Sequence, residues 1–232
     1  MIKQVLKEIE LHKDLKRAKL LARFFKTGKG QYGEGDEFFG LTVPLSRKIA
    51  LQYKDLSLRD TAALLKNKVH EVRLVGVLVL VHKYKIGNLK EKNSIANFYL
   101  KNTRYINNWD LVDLSAPRIL GDYLFYKNDK NILLKLAKSK NLWKERIAII
   151  STLAFIFHDD LNWTFKIAKI FLSHGHDLIH KATGWMLREA GKKDTQALRK
   201  FLDINISKMP RTMLRYAIER FPEKLRLQYL KK

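Results

Sequence analysis

The stretch NNWDLVDLSAPRILGD, residues 107–122, sets two carboxylates beside a tryptophan in a chain with 46 Lys and Arg against 23 Asp and Glu. Helical spacing puts Trp109 and Asp113 on one face at i, i+4, with Asp110 near its edge. Asn107 or Asn108 is suited to cap the helix. Pro117 lies four residues past Asp113 and cannot donate to its carbonyl, so the helix is expected to bend or restart there. The residues alone leave several chemistries open. Asp110 and Asp113 can be an acid and base pair, or one carboxylate can be the negative point of a positive groove. In a purely structural account Asp110 caps the helix, Asp113 pairs with an arginine and Trp109 fills core.

Two further places join an indole to a guanidinium. Trp143 precedes Arg146 by three residues, and Trp185 precedes Arg188 by three in GWMLREAGKK, so each pair can share a helix face. Either pair can be core with a snorkelling arginine, or an indole against a sugar or base with its arginine on a phosphate. Gly184 beside Trp185 allows close approach of another helix or of a ligand. The loop GKGQYGEGD, residues 28–36, has no GK[ST] ending and no preceding strand, so it is neither a P-loop nor a dinucleotide fingerprint. Its Glu34 and Asp36 are expected to repel phosphate, with Lys26, Lys29 and backbone N–H groups offsetting them, and Tyr32 is available to a bound groove. The spacing HGHDLIH, His174 to His180, lacks the HExxH pattern, and no GxSxG or Ser and Lys motif is present. Neither a metal, a cofactor nor a serine nucleophile is expected.

These residues need elements to hold them. A hydrophobic share of 46% with only four prolines is enough to fold, and the absence of cysteine excludes disulfides and thiolate sites and fits a reducing, cytoplasmic setting. The first residues are charged and amphipathic, and no apolar run reaches the length of about 18 that spans a bilayer. A net charge of +23 spread along the chain favours a polyanion as partner. Helical period dominates: Ile2, Val5, Leu6, Ile9 and Leu11 mark a first helix, a second runs through Leu20 and Leu21 to Phe25, and another begins around Pro44 after the glycine loop.

Four later segments resemble one another, opening at Val69, Leu142, Asp177 and Lys208, each with a basic residue near its start and then an apolar helix. Arg73, Arg146, Lys181 and Arg215 are separated by 73, 35 and 34 residues, and the member missing from the long gap falls near Asp110. A period near 35 is that of a two-helix unit that must stack on neighbours to bury its apolar stripe. The expected fold is therefore all-α, a curved α-solenoid of HEAT-like two-helix repeats, with an all-α globular bundle as the plainer alternative. Residues 1–232 are expected to form a single domain. Equivalent positions of successive units line up in such a stack, so the four basic residues form a candidate stripe along a phosphate backbone, each of them otherwise an ordinary solvated cation.

Four motifs in this order, TGKGQYGEGDEFFGLTVPLSR, NWDLVDLSAPRILGD, the Trp143 and Arg146 pair, and GWMLRE, make the whole chain resemble the bacterial DNA alkylation repair family of HEAT-like-repeat DNA glycosylases, the AlkD group. That resemblance implies hydrolysis of the N-glycosidic bond of cationic alkylated purines, 3-methyladenine and 7-methylguanine, in duplex DNA, without base flipping and without a metal. It assigns Asp113 as the catalytic carboxylate, with Trp109 and Trp185 flanking the lesion's deoxyribose. It places Arg146 and Arg188 on DNA, with Arg146 the nearer to the catalytic centre. Phe24 stands where the best-known branch has a tyrosine. The remaining DNA contacts expected are Tyr32, Lys29, Arg73, Lys181 and Arg215. The protein is expected to act as a nucleoid-associated monomer with no obligate protein partner. A rival reading is a non-catalytic repeat protein that binds distorted or branched DNA, and a third is a protein-binding array.

Overall fold

The computed structural model describes residues 1–231. These residues are all-α: no named strand occurs among them, and one isolated bridge joins Glu37 to Val69. The chain divides into two compact units, Met1–Ile119 and the remainder from Leu120.

The first unit contains α1 (Ile2–Leu11), α2 (Leu15–Phe24), α3 (Val43–Gln52), α4 (Leu58–Leu65), α5 (His70–Ile86), α6 (Leu89–Lys101) and α7 (Trp109–Ser115). Its axis is α5, which packs against α3, α4, α6 and α7. This explains the apolar character of the segment that opens at Val69. Val72 and Leu74 through Leu80 are buried on every side of the helix, as in a central helix rather than a surface one. At about 1.5–3 kcal/mol for each buried Val or Leu, that helix is a principal source of the unit's stability.

The second unit contains α8 (Asp122–Phe125), α9 (Asn131–Ala137), α10 (Leu142–Phe157), α11 (Asn162–Ile170), α12 (Asp177–Lys193), α13 (Thr195–Asn205), α14 (Arg211–Ala217) and α15 (Glu223–Lys231). Here α10 and α12 form the spine: α10 packs on α9, α11 and α12, and α12 packs on α13 and α14. The repeat expected from the sequence is present. The four look-alike segments supply α5, α10, α12 and α14, α7 is the missing member, and α9 and α11 pack as first helices on α10 and α12.

The N-terminal helices match their expected positions, but not all their expected faces. Val5 and Ile9 of α1 are buried, whereas Leu11 is exposed. In α2 the buried residue is Ala18, while Leu20 and Phe24 are 64% and 62% exposed. The reason is what α2 packs on. Its first turn lies against Gly40, where a Cβ would collide with the Asp14 carbonyl and the Ala18 nitrogen, and the positive φ of +89° at Gly40 suits glycine. Only the small Ala18 side of the helix fits that approach.

Candidate nucleic-acid interface

The first unit builds its site on α7. Asn108 caps the helix, its Oδ1 accepting from the Trp109 N–H at 2.9 Å. Trp109 and Asp113 follow one turn apart, and both are half-buried, so each keeps a face toward solvent. Ser115 closes the helix, its hydroxyl donating to the Leu111 carbonyl at 2.6 Å and lying 2.9 Å from the Tyr99 hydroxyl. Burial pushes the Tyr99 phenol well above its ordinary value, and the nearby Asp113 charge adds to the rise.

Pro117 does break the helix, and a π-helical turn follows over Pro117–Gly121. A proline leaves the carbonyl four residues earlier without its donor. The Arg118 side chain reaches back to that region, donating to the Leu114 carbonyl at 2.8 Å and to the Asp113 carbonyl at 3.5 Å. Burial, and then the neighbouring Arg47 cation, hold the Arg118 pKa below its usual value. The backbone of Asp113 is thus bordered by positive charge.

Under Trp109 lies an aromatic stack. The Phe25 ring is parallel to the indole at 5.0 Å between centroids and 12° between planes, and Phe24 meets the indole edge-on at 5.8 Å. Phe38 stacks on Phe25 at 5.1 Å, and the His70 ring lies 4.8 Å from both. Tyr32 donates its hydroxyl to the Phe24 carbonyl at 3.4 Å, and Lys29 is exposed on the same glycine loop.

Asp36 and Arg73 require correction. The sequence reading has Asp36 repelling phosphate from the loop surface and Arg73 gripping it. Instead Asp36 turns inward: its carboxylate takes the Arg73 guanidinium at 2.7 Å and the Asn108 amide at 3.0 Å, and faces His70 Nδ1 at 3.5 Å. Arg73 is 4% exposed and also donates to the Asn67 and Lys68 carbonyls, both at 3.0 Å, so it has no surface to offer a phosphate. Burial opposes the charged form of Asp36, but the facing His70 ring and the Arg73 charge outweigh it and lower its pKa. On the other side of the ring, His70 Nε2 lies 2.8 Å from Asp110 Oδ2. Burial would lower the His70 pKa; the Asp110 charge, the hydrogen bond to Asp110 and the Asp36 carboxylate facing Nδ1 raise it to about 9, with Arg73 opposing. Asp110 also accepts the Leu111 N–H, so its role is structural, as the capping account had it.

Sequence reasoning missed this network, although a signal was there. The run His70, Glu71 and Arg73 opens a helix that is then apolar from Leu74 to Val81, and buried charges need partners. Glu71 finds its partners in the loop, accepting the N–H groups of Phe39, Gly40 and Leu41 at 3.0, 2.7 and 3.1 Å. Backbone bonds from Glu37 N–H to the Lys68 carbonyl and from His70 N–H to the Glu37 carbonyl complete the attachment.

In the second unit Trp185 is half-buried on α12. Gly184 beside it lets α14 come close, since a Cβ there would lie 2.5 Å from both the Met213 carbonyl oxygen and the Tyr216 Cβ. The glycine serves a helix approach rather than a ligand. Arg188 pairs with Glu219 and, at 3.3 Å, with Glu189. Lys181 pairs with Asp177 at 2.7 Å, and Arg215 is exposed. Arg146 is 5% exposed and donates to the Leu178 carbonyl at 2.7 Å, and Trp143 beside it is buried. The expected stripe of four surface cations therefore loses Arg73 and Arg146, which act as internal staples. His174 bonds Glu145 at 3.1 Å, and His180 bonds the His174 carbonyl, so the histidines tie down the turn before α12. Among the described residues no three metal-capable side chains converge, and no helix is long and apolar enough to cross a membrane.

The sequence model described as "DNA alkylation repair enzyme" matches residues 5–221. A solved structure, described as a predicted DNA alkylation repair enzyme from Enterococcus faecalis, shares the fold at a TM-score of 0.69 and 16% identity, covering 91% of this chain and 97% of that one. No curated protein matches the chain. The family match spans nearly the whole sequence, and the chain belongs to the DNA alkylation repair enzyme family.

Proposed function

We propose that this protein is a monofunctional DNA glycosylase that hydrolyses the N-glycosidic bond of cationic alkylated purines, 3-methyladenine and 7-methylguanine, in duplex DNA without flipping the base. The observation that carries the reading is a tryptophan and an aspartate, both half-buried, one turn apart on α7, in a chain of net charge +23. A purine alkylated at N3 or N7 leaves as a neutral base, so the enzyme needs no strong general acid. Positive charge grows on the deoxyribose as the bond breaks. The Asp113 carboxylate lowers the energy of that cation, the Trp109 face adds a favourable contact, and water then bonds to the anomeric carbon and gives up its proton, leaving an abasic site and the free base.

Trp185 has the same kind of role by family resemblance. Arg188, Lys181, Arg215, Lys29 and Tyr32 are the DNA contacts in this reading, and Arg146 contributes fixed positive charge from within its unit. The whole chain acts as one catalytic domain and as a monomer on nucleoid DNA. The test is release of 3-methyladenine and 7-methylguanine from methylated duplex. Asp113→Asn keeps the shape and removes the charge. Loss of the charge interaction, about 1 kcal/mol in water and about 4 kcal/mol near a protein surface, predicts a drop of roughly five- to a thousandfold in excision with duplex binding retained. Equal activity in the variant refutes the assignment of Asp113. Tight duplex binding with no release by the wild type replaces the enzyme with a DNA-binding scaffold.

A further inference from the structure

The network beneath Trp109 does more than fill space. Asp36 belongs to the glycine loop, His70 to the start of α5 and Asp110 to the first turn of α7, and these three elements meet at one imidazole that is 3% exposed. The ring is packed as well as bonded, with Phe38 near-parallel to it at 20° and Phe25 tilted at 39°, the three rings in mutual contact, and Phe25 is the ring on which Trp109 stacks. The Asn108 cap that starts α7 is itself tied to Asp36. A shift of His70 is therefore transmitted to the Trp109 indole by two routes, through Phe25 and through the Asp36 to Asn108 bond.

We propose that His70 is a positioning residue for excision: bridging Asp36 and Asp110, it holds the glycine loop against α7 and so fixes Trp109 and, one turn on, Asp113. The inference rests on the functional reading above, which supplies the reaction that Trp109 and Asp113 serve. The charged groups facing the ring are Asp36 from the loop, Asp110 from α7 and Arg73 from α5, while the Glu71 carboxylate is turned to the loop amides. Two carboxylates against one guanidinium leave the site short of one positive charge, which the protonated ring supplies. Because the folded-state pKa is raised, to about 9, the bridge is complete below the unfolded value of 6.5 and is lost as pH rises through about 9.

The experiment compares wild type, His70→Gln and Asp110→Asn in single-turnover excision from 7-methylguanine duplex across neutral to alkaline pH, with spontaneous loss subtracted. Undamaged-duplex affinity, near-ultraviolet circular dichroism and hydrogen exchange of the glycine-loop amides are measured alongside. The wild-type rate should fall on a limb with apparent pKa of about 9. His70→Gln should lose roughly 10- to 100-fold in rate with undamaged-duplex affinity unchanged, show no such limb, and exchange its loop amides faster. Asp110→Asn keeps the acceptor for the Leu111 N–H and the volume, so it folds even where His70→Gln does not, and its limb should move to lower pH. Wild-type rate in His70→Gln, or an unmoved limb in Asp110→Asn, overturns the inference. If the wild type excises nothing, the functional reading fails instead, and unchanged loop exchange and aromatic dichroism in the variants would then separately remove the bridge.

Discussion

Removing the Asp36 side chain, in Asp36→Ala, tests the inward-facing loop directly. Asp36 and Arg73 are a buried pair at 2.7 Å with side chains 6% and 4% exposed, and Asp36 also holds Asn108 at 3.0 Å. Arginine cannot discard its proton, so the variant leaves an uncompensated cation in the core, whereas His70 can neutralise itself. Breaking such a pair costs about 3–5 kcal/mol, and the hydrogen bond to Asn108 adds about 1 kcal/mol. For a chain of this size each kcal/mol moves Tm by about 2–4 °C, which gives a fall of roughly 8–24 °C. The assay is thermal unfolding followed by circular dichroism and by calorimetry, two probes that also show whether the units melt together. Adding Arg73→Met to the variant should recover stability, because it removes the stranded charge. The pH dependence has a fixed sign. The Asp36 pKa is lowered, so its contribution is present above the unfolded value of 3.8 and lost as pH falls through the folded one; the variant should therefore lose less stability than the wild type on acidification. A Tm change under about 2 °C, or a double variant no better than the single one, would refute the reasoning.

Two further outcomes are expected. Gly184→Ala gains about 1 kcal/mol of helix propensity but places its Cβ 2.5 Å from a backbone oxygen of α14, an overpacking that costs about 1–3 kcal/mol, so the net effect is a loss of stability together with displacement of Trp185, read by thermal melts and tryptophan fluorescence. Arg215→Ala should weaken duplex binding and reduce the salt slope by about one, with no loss of stability, in titrations across ionic strength; Arg73→Ala should do the reverse. An unchanged slope in Arg215→Ala would make that residue an ordinary surface cation.

Local and periodic features were legible in the sequence because they depend on residues near one another in the chain. The helix pairs at a period near 35, the break at Pro117, the start of α3 near Pro44 and the shared face of Trp109 and Asp113 all follow from side-chain spacing and backbone chemistry. What a charge does is a different matter, since it depends on partners far away in sequence. Asp36 reads as a repulsive surface acid and Arg73 as a phosphate contact until the fold brings them together with His70, Asn108 and Asp110. Arg146 likewise turns to a carbonyl on α12, and Leu20 and Phe24 are left outside because only Ala18 fits against Gly40. A charge in water is cheap to leave anywhere, whereas a buried one must be matched, and only the tertiary structure decides which charges are buried.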